Sequence, residues 1–213
     1  MKASRKVYAI IKEIFAWVFA LVVIIPFLIV VFNSFKTAHE SINMSLTPPN
    51  TLHWENFKKV WEVGNIPRSY MNSFIISATS VLLSVLSAST CAYVISRNRT
   101  KINRAIYIFF ALGLMFPISM VTVVKITRLF YVYNTVWGVI LMFTALILPL
   151  SVFLYYGFLD SVPKELDEAA LVDGAGALRI FFQILFPVLK PVTVTVVTIN
   201  FLNCWNIGIS LIK

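Results

Sequence analysis

Carboxylates, histidines and cysteines are the side chains from which acid–base and metal sites are ordinarily built, and this 213-residue chain has nine, two and two of them. Five of the nine carboxylates fall close together: Asp160, Glu165, Asp167, Glu168 and Asp173. The other four are Glu13, Glu40, Glu55 and Glu62, so nothing acidic occurs between Glu62 and Asp160. His39 and His53 lack ligand spacing and read as solvated loop residues. Cys91 and Cys204 sit in apolar surroundings and read as small packing residues, not as a disulfide framework. No glycine-rich phosphate loop occurs. These patterns disfavour a catalytic or metal centre, and they predict that the chain binds no cofactor and no ATP of its own. What the acidic cluster can offer is charged hydrogen bonds to another protein.

The elements that carry these residues are apolar. Hydrophobic residues make up 59% of the chain, charged residues only 13%, and the mean hydropathy is +0.86; soluble domains run near 45–50% and about 25%. The excess falls in five blocks at about residues 14–32, 70–96, 106–124, 136–158 and 188–208. Each is near the roughly 20 residues that cross a bilayer as a helix. The first is too long for a signal-peptide core and no small-residue cleavage site follows it. Pro26, Pro117, Pro149 and Pro191 fall in or near the blocks, which membrane helices tolerate. Strict alternation is absent, against a β-barrel. The expected fold class is therefore all-α, a polytopic transmembrane helical bundle of five spans. The net charge of +9 then reports topology and anionic headgroups, with no nucleic-acid partner and membrane lipid as the surroundings.

Lys and Arg set the orientation. With a cytoplasmic N-terminus (residues 1–13), the loop carrying Arg97, Arg99, Lys101 and Arg104 is cytoplasmic, as is the segment carrying Lys164, Arg179 and Lys190. Eleven of the 18 basic residues then lie inside. Residues 33–69 become an external loop with Pro48, Pro49, Trp54, Phe57 and Trp61, either an interfacial amphipathic turn or a docking surface. Residues 70–208 form the core. Ion-driven pumps need ionisable groups at membrane depth to bind the coupling ion. The acid-free stretch lacks them, so uphill movement would draw its energy from another subunit.

The acidic cluster predicts a short helix at about 162–172. Asp160 or Ser161 would cap it, Pro163 would occupy the first turn, and Gly174 would end it. Val162, Leu166 and Ala169 share one face by spacing. Anionic headgroups would repel such a helix from the membrane surface, which favours a socket on a cytoplasmic protein. Gly174 and Gly176 lead to a second short helix, and Pro187 and Pro191 punctuate the entry to the last block.

The pattern Glu168-Ala169-Ala170, three residues, Gly174, nine residues, Ile184, one residue, Phe186-Pro187 resembles the EAA loop of ABC importer permeases, with Phe186 where the family usually has leucine. The context Val162-Pro163-Lys164-Glu165-Leu166 and Asp173-Gly174-Ala175 resembles the carbohydrate-uptake, maltose-permease-like branch. Weaker matches are Asn33-Ser34-Phe35-Lys36, Asn56-Phe57, Asn72-Ser73, Ala92-Tyr93, Ser96-Arg97 and Asn134-Thr135. The resemblance implies a multi-pass bacterial cell-membrane subunit forming half of a translocation path. It implies as partners an ATP-binding subunit dimer, a second and different permease, and an extracellular solute-binding protein. Residues 160–187 would be the coupling loop, with Glu168, Ala169, Ala170, Asp173 and Gly174 contacting the ATPase.

Two polar stripes run within the blocks. Ser73, Ser77, Ser80, Ser84 and Ser87 read as close helix packing or as a channel lining. Thr193, Asn200, Asn203 and Asn206 read as a lining of the sugar path or as interhelical hydrogen bonding, because asparagine in lipid needs a partner or a wet cavity. The family continues past Trp205-Asn206 into a sixth span, whereas residues 209–213 end this chain, which reads as a C-terminally truncated copy. The rival readings are a non-transporting remnant or scaffold that sequesters ATPase subunits, and an importer of peptides or amino acids.

Overall fold

The structure is a computed structural model that describes residues 2–116 and 119–211, so Pro117, named above, and the end of the tail 209–213 lie outside the described residues. Among the described residues every regular element is helical. The chain divides into two compact units, residues 1–67 and 68–213.

The first unit opens with α1 (Lys2–Ser34), whose stretch Ile10–Ser34 is long and apolar enough to span a membrane and has no burial within the chain. Two short helices follow, α2 (Ala38–Ser41) and α3 (Glu55–Val63). Side chains at the end of α1 tie the loop into a knot. Asn33 donates to the carbonyls of Ile29 and Ser45, at 2.6 and 2.9 Å. Asn56 donates to those of Ser34 and Lys36, at 3.0 and 2.9 Å. Lys36 is 4% exposed, and its ammonium lies among the Oδ1 of Asn33, the carbonyl and Oγ of Ser45, and the Oγ1 of Thr47. Those four neutral oxygens replace the water a buried ammonium would otherwise lose. Phe35 packs edge-on against Trp54 at 5.0 Å and against Phe57 at 5.1 Å. The short matches at 33–36 and 56–57 thus have structural work, while Trp61 remains 59% exposed.

The second unit takes its framework from α4 (Ile66–Arg97), α7 (Val136–Ser161) and α11 (Lys190–Leu211). Small residues bring these helices together. Ser73, Ser77, Ser80 and Ser84 are all buried, whereas Ser87 is exposed. Ser80 donates to the Ile140 carbonyl at 3.2 Å, and Ser84 and Ser151 share a 3.0 Å hydrogen bond. Packing and interhelical hydrogen bonds, not water exclusion, drive such contacts in lipid. Most of the serine stripe is therefore a helix-packing seam, in which Val152, Tyr155 and Phe143 are fully covered.

The third apolar block is not one continuous helix. It divides into α5 (Lys101–Gly113) and α6 (Met120–Leu129), separated by a turn after Gly113. Among the described residues three helices have the length and hydropathy to cross a membrane, or four if the bent pair Ala177–Val188 and Lys190–Asn206 counts as one. That pair turns by 76°, after α9 (Ala177–Arg179), a π-helical stretch at Ile180–Leu185 and α10 (Phe186–Val188), with Pro187 and Pro191 on either side of the corner. Helix α11 runs through Leu211, past the expected end of the last block at 208.

Thr135 caps α7 by accepting from the Gly138 amide at 3.0 Å. Gly138 itself is required by close approach, since a Cβ there would lie 2.0 Å from the Val132 carbonyl oxygen.

Candidate functional site

The acidic cluster folds as α8 (Glu165–Val172), a shorter helix than the expected 162–172. The capping expectation fails for a physical reason: α7 continues through Asp160 and Ser161, whose hydroxyl returns to the Phe158 carbonyl. Val162 is extended, as the residue before a proline prefers, and Pro163 lies in the link. Lys164 occupies the position before α8 and makes no side-chain cap. Glu165, Asp167 and Glu168 do stand in the first turn, where the helix dipole favours them.

The inward face of α8 also differs from the spacing argument. Leu166 and Ala169 are exposed, while Asp167 and Ala170 are buried. Ala170 packs with Val162, Ala175, Ile180 and Leu185, bordered by Tyr93, Phe158 and Ile184. Its methyl group is the size that lets the short helix sit close to this seat.

Asp167 points inward because Arg97 is waiting for it. The Nε of Arg97 lies 2.5 Å from Asp167 Oδ2, with both side chains nearly covered. The Nη1 of the same guanidinium donates to the carbonyls of Leu159 and Val162, at 3.3 and 3.2 Å. One side chain at the end of α4 therefore holds the last turn of α7 and the inner face of α8. Nearby, Arg99 pairs with Asp160 at 3.0 Å in a more exposed position. These contacts place the end of α4, the start of α5, the end of α7 and α8 at one end of the bundle. The basic segment 97–104 and the acidic segment that begins at Asp160 thus meet at that end.

With its acid turned in, α8 turns apolar groups out. Leu166, Leu171 and Val172 are exposed, Val172 to 89%, and so is Leu178 beyond the turn. Glu168, Ala169 and Asp173 share that exposed surface. Gly174 ends the helix at φ +74°, a left-handed conformation that glycine adopts without penalty. Of the five residues expected to meet a partner, four are accessible and Ala170 is not. Sequence reasoning missed the Arg97–Asp167 pair. The available signal was an arginine after an acid-free span with five candidate acids downstream, and spacing could not choose among them.

The polar residues of α11 separate in the same way. Asn200 is 1% exposed and donates to Ser151 Oγ at 2.7 Å. Ser151 in turn donates to the Ile147 carbonyl at 2.8 Å. With Ser84 donating to it as well, the Ser151 oxygen uses its one proton and both lone pairs. Thr193 accepts from Tyr155 at 3.0 Å. Asn203 and Asn206 are exposed, near an aromatic group in which Trp205 stacks on Phe201 and meets Tyr70 edge-on at 5.5 Å.

Comparison with known proteins converges on one group. The sequence profile described as "Binding-protein-dependent transport system inner membrane component" matches residues 80–212. The diacetylchitobiose uptake system permease protein NgcG of Streptomyces coelicolor is 34% identical, over 96% of this chain and 68% of that protein. The melibiose/raffinose/stachyose import permease protein MelC of Bacillus subtilis is 36% identical, over 97% of this chain and 75% of its own length. The multiple sugar-binding transport system permease protein MsmG of Streptococcus mutans is 33% identical, over 97% and 76%. Among solved structures, a chain of a bacterial ABC transporter involved in the import of the acidic polysaccharide alginate has the same fold. Its TM-score is 0.81 at 20% identity, covering 95% of this chain and 72% of that one.

Proposed function

Because the chain belongs to the family of binding-protein-dependent transport system inner membrane components, we propose that it is one membrane subunit of an ATP-driven sugar importer. The observation that carries this reading is α8, a short helix clamped by Arg97 on its inner face and presenting Leu166, Glu168, Ala169 and Leu171 outward. Such a patch of exposed apolar and acidic groups fits a cleft on another protein. A separate ATP-hydrolysing subunit would seat it there. Movement of that subunit would pass through α8 and Arg97 into α4 and α7. ATP is consumed on the partner, and this chain supplies no catalytic group.

The sugar substrate is favoured over peptides or amino acids by relatives named for diacetylchitobiose and for melibiose, raffinose and stachyose. In this reading the face bearing Arg97, Arg99 and α8 is cytoplasmic, with the N-terminus on the same side. A second permease completes the path and a solute-binding protein delivers substrate from the other side. Asn203 and Asn206 are the lining candidates, since they are exposed whereas Asn200 is engaged with Ser151.

The test is affinity purification of the tagged chain from its native membrane, with wild type beside Glu168→Lys and Leu171→Asp. An ATPase subunit and a second permease should accompany wild type, and the two variants should lose the ATPase alone. Absence of both partners from wild type would replace this reading with the non-transporting one. Competition of uptake by oligosaccharides and by peptides separates the substrate classes.

A further inference from the structure

Beside the Arg99–Asp160 pair lies a cavity of about 590 Å³ walled by Arg99, Lys101, Arg104, Tyr107, Tyr156 and Asp160. Its one carboxylate is already engaged, since Asp160 pairs with Arg99 at 3.0 Å. Among the described residues Lys101 and Arg104 have no ion-pair partner, so the cavity carries two uncompensated positive charges. The charge is graded into apolar surface. Along α5 the order is Lys101, Arg104, Tyr107, three residues apart and all on the cavity wall. Along α7 it is Asp160, Tyr156, Phe153, on one face. Tyr107 joins the two rows, with ring centroids 4.3 Å from Tyr156 and 6.4 Å from Phe153. Over about 10 Å of helix rise, the surface therefore passes from the cations and phenols of the cavity wall to a half-exposed phenyl ring, Phe153, just beyond it. Ile102 and Phe109, each 72% exposed, continue the apolar flank of α5.

We propose that this cavity is a binding site for the headgroup of an anionic phospholipid, with the phosphodiester between Lys101 and Arg104 and the glycerol and acyl region along Tyr107, Tyr156 and Phe153. A soluble phosphate or nucleotide would satisfy the cations but leave the aromatic rungs unused. A zwitterionic lipid would use the rungs while bringing its own cation towards Lys101 and Arg104. An anionic lipid matches both, and basic pockets between membrane helices bind such headgroups. Occupancy would also neutralise the loop that joins α4 to α5, one turn from the Arg97 clamp. The site requires only that the chain spans a membrane, and it is independent of substrate and of the ATPase partner.

The test is native mass spectrometry of the permease, purified with the subunits it retains, after exchange into phosphatidylglycerol or phosphatidylcholine. Wild type should keep at least one phosphatidylglycerol under activation that strips phosphatidylcholine. The double variant Lys101→Gln/Arg104→Gln should lower that affinity by about thirtyfold, at about 1 kcal/mol per basic residue. Equal retention of the two lipids by wild type overturns the proposal without any variant. Displacement of the lipid by millimolar inorganic phosphate also overturns it, in favour of a soluble anion. If the double variant is too unstable to purify, Lys101→Gln alone is read against Lys125→Gln, a lysine on α6 outside the cavity. Equal phosphatidylglycerol retention by these two single variants likewise sinks the idea.

Discussion

Arg97 and Asp167 show how a single pair can set the character of a surface. An acid buried beside a guanidinium is stable only while both are present, and removing one partner of such a pair costs about 3–5 kcal/mol. Asp167→Ala should therefore lower the thermal midpoint of the detergent-solubilised protein sharply, whereas Glu168→Ala, fully on the surface, should stay within about 0.5 kcal/mol of wild type. A scanning thermal denaturation of the two variants checks this, and equal melting would mean the pair is not buried in solution. The asparagines of α11 divide on the same principle. Asn200→Ala removes the donor to Ser151 and should cost about 1–3 kcal/mol. Asn203→Ala should leave stability intact and alter sugar uptake if that side chain lines the path.

At the scale of elements, helix ends matter more than helix middles. Gly174, at φ +74° with open space where a Cβ would be, fixes where α8 stops. Gly174→Ala meets no clash and should cost only the left-handed strain, about 1–2 kcal/mol. Gly138→Ala would push a Cβ to 2.0 Å from the Val132 carbonyl oxygen, so the start of α7 must move. Its melting temperature should fall well below that of Gly174→Ala, and the reverse order would contradict the close approach. The third apolar block illustrates the limit of hydropathy. It has the composition of a span, yet the chain turns after Gly113 and resumes at Met120. Composition registers how apolar a window is, and it is insensitive to a break in the hydrogen-bond ladder inside that window.

Beyond single elements, the arrangement of the second unit puts the clamp, the exposed apolar face of α8 and the basic residues Arg99, Lys101 and Arg104 at one end of the bundle. Disrupting α8 from the outside and from the inside should have different consequences. Leu171→Asp changes a side chain that is 59% exposed, so it should abolish ATP-dependent sugar uptake with the folded permease still in the membrane. Arg97→Ala should reduce the amount of permease itself. Immunoblotting of membranes beside radiolabelled uptake distinguishes the two, and an equal drop in protein for both would mean that α8 has no separate docking role.

The sequence by itself determined the all-helical class, because apolar blocks of membrane length without alternation admit nothing else. It also determined the family, because Glu168, Ala169, Gly174 and Pro187 keep their spacing whatever surrounds them. Only the tertiary structure decided which way α8 faces. Its periodicity offered Leu166 and Ala169 to the core, and burial went to Asp167 and Ala170. The reason is that Arg97, seventy positions earlier, needs a counter-charge once it is covered, and in an apolar setting that need outweighs burying one leucine. The same limit applies to Asn200 and Asn203. Their types and spacing are alike, and only the position of Ser151 across the helix interface separates the packed one from the free one.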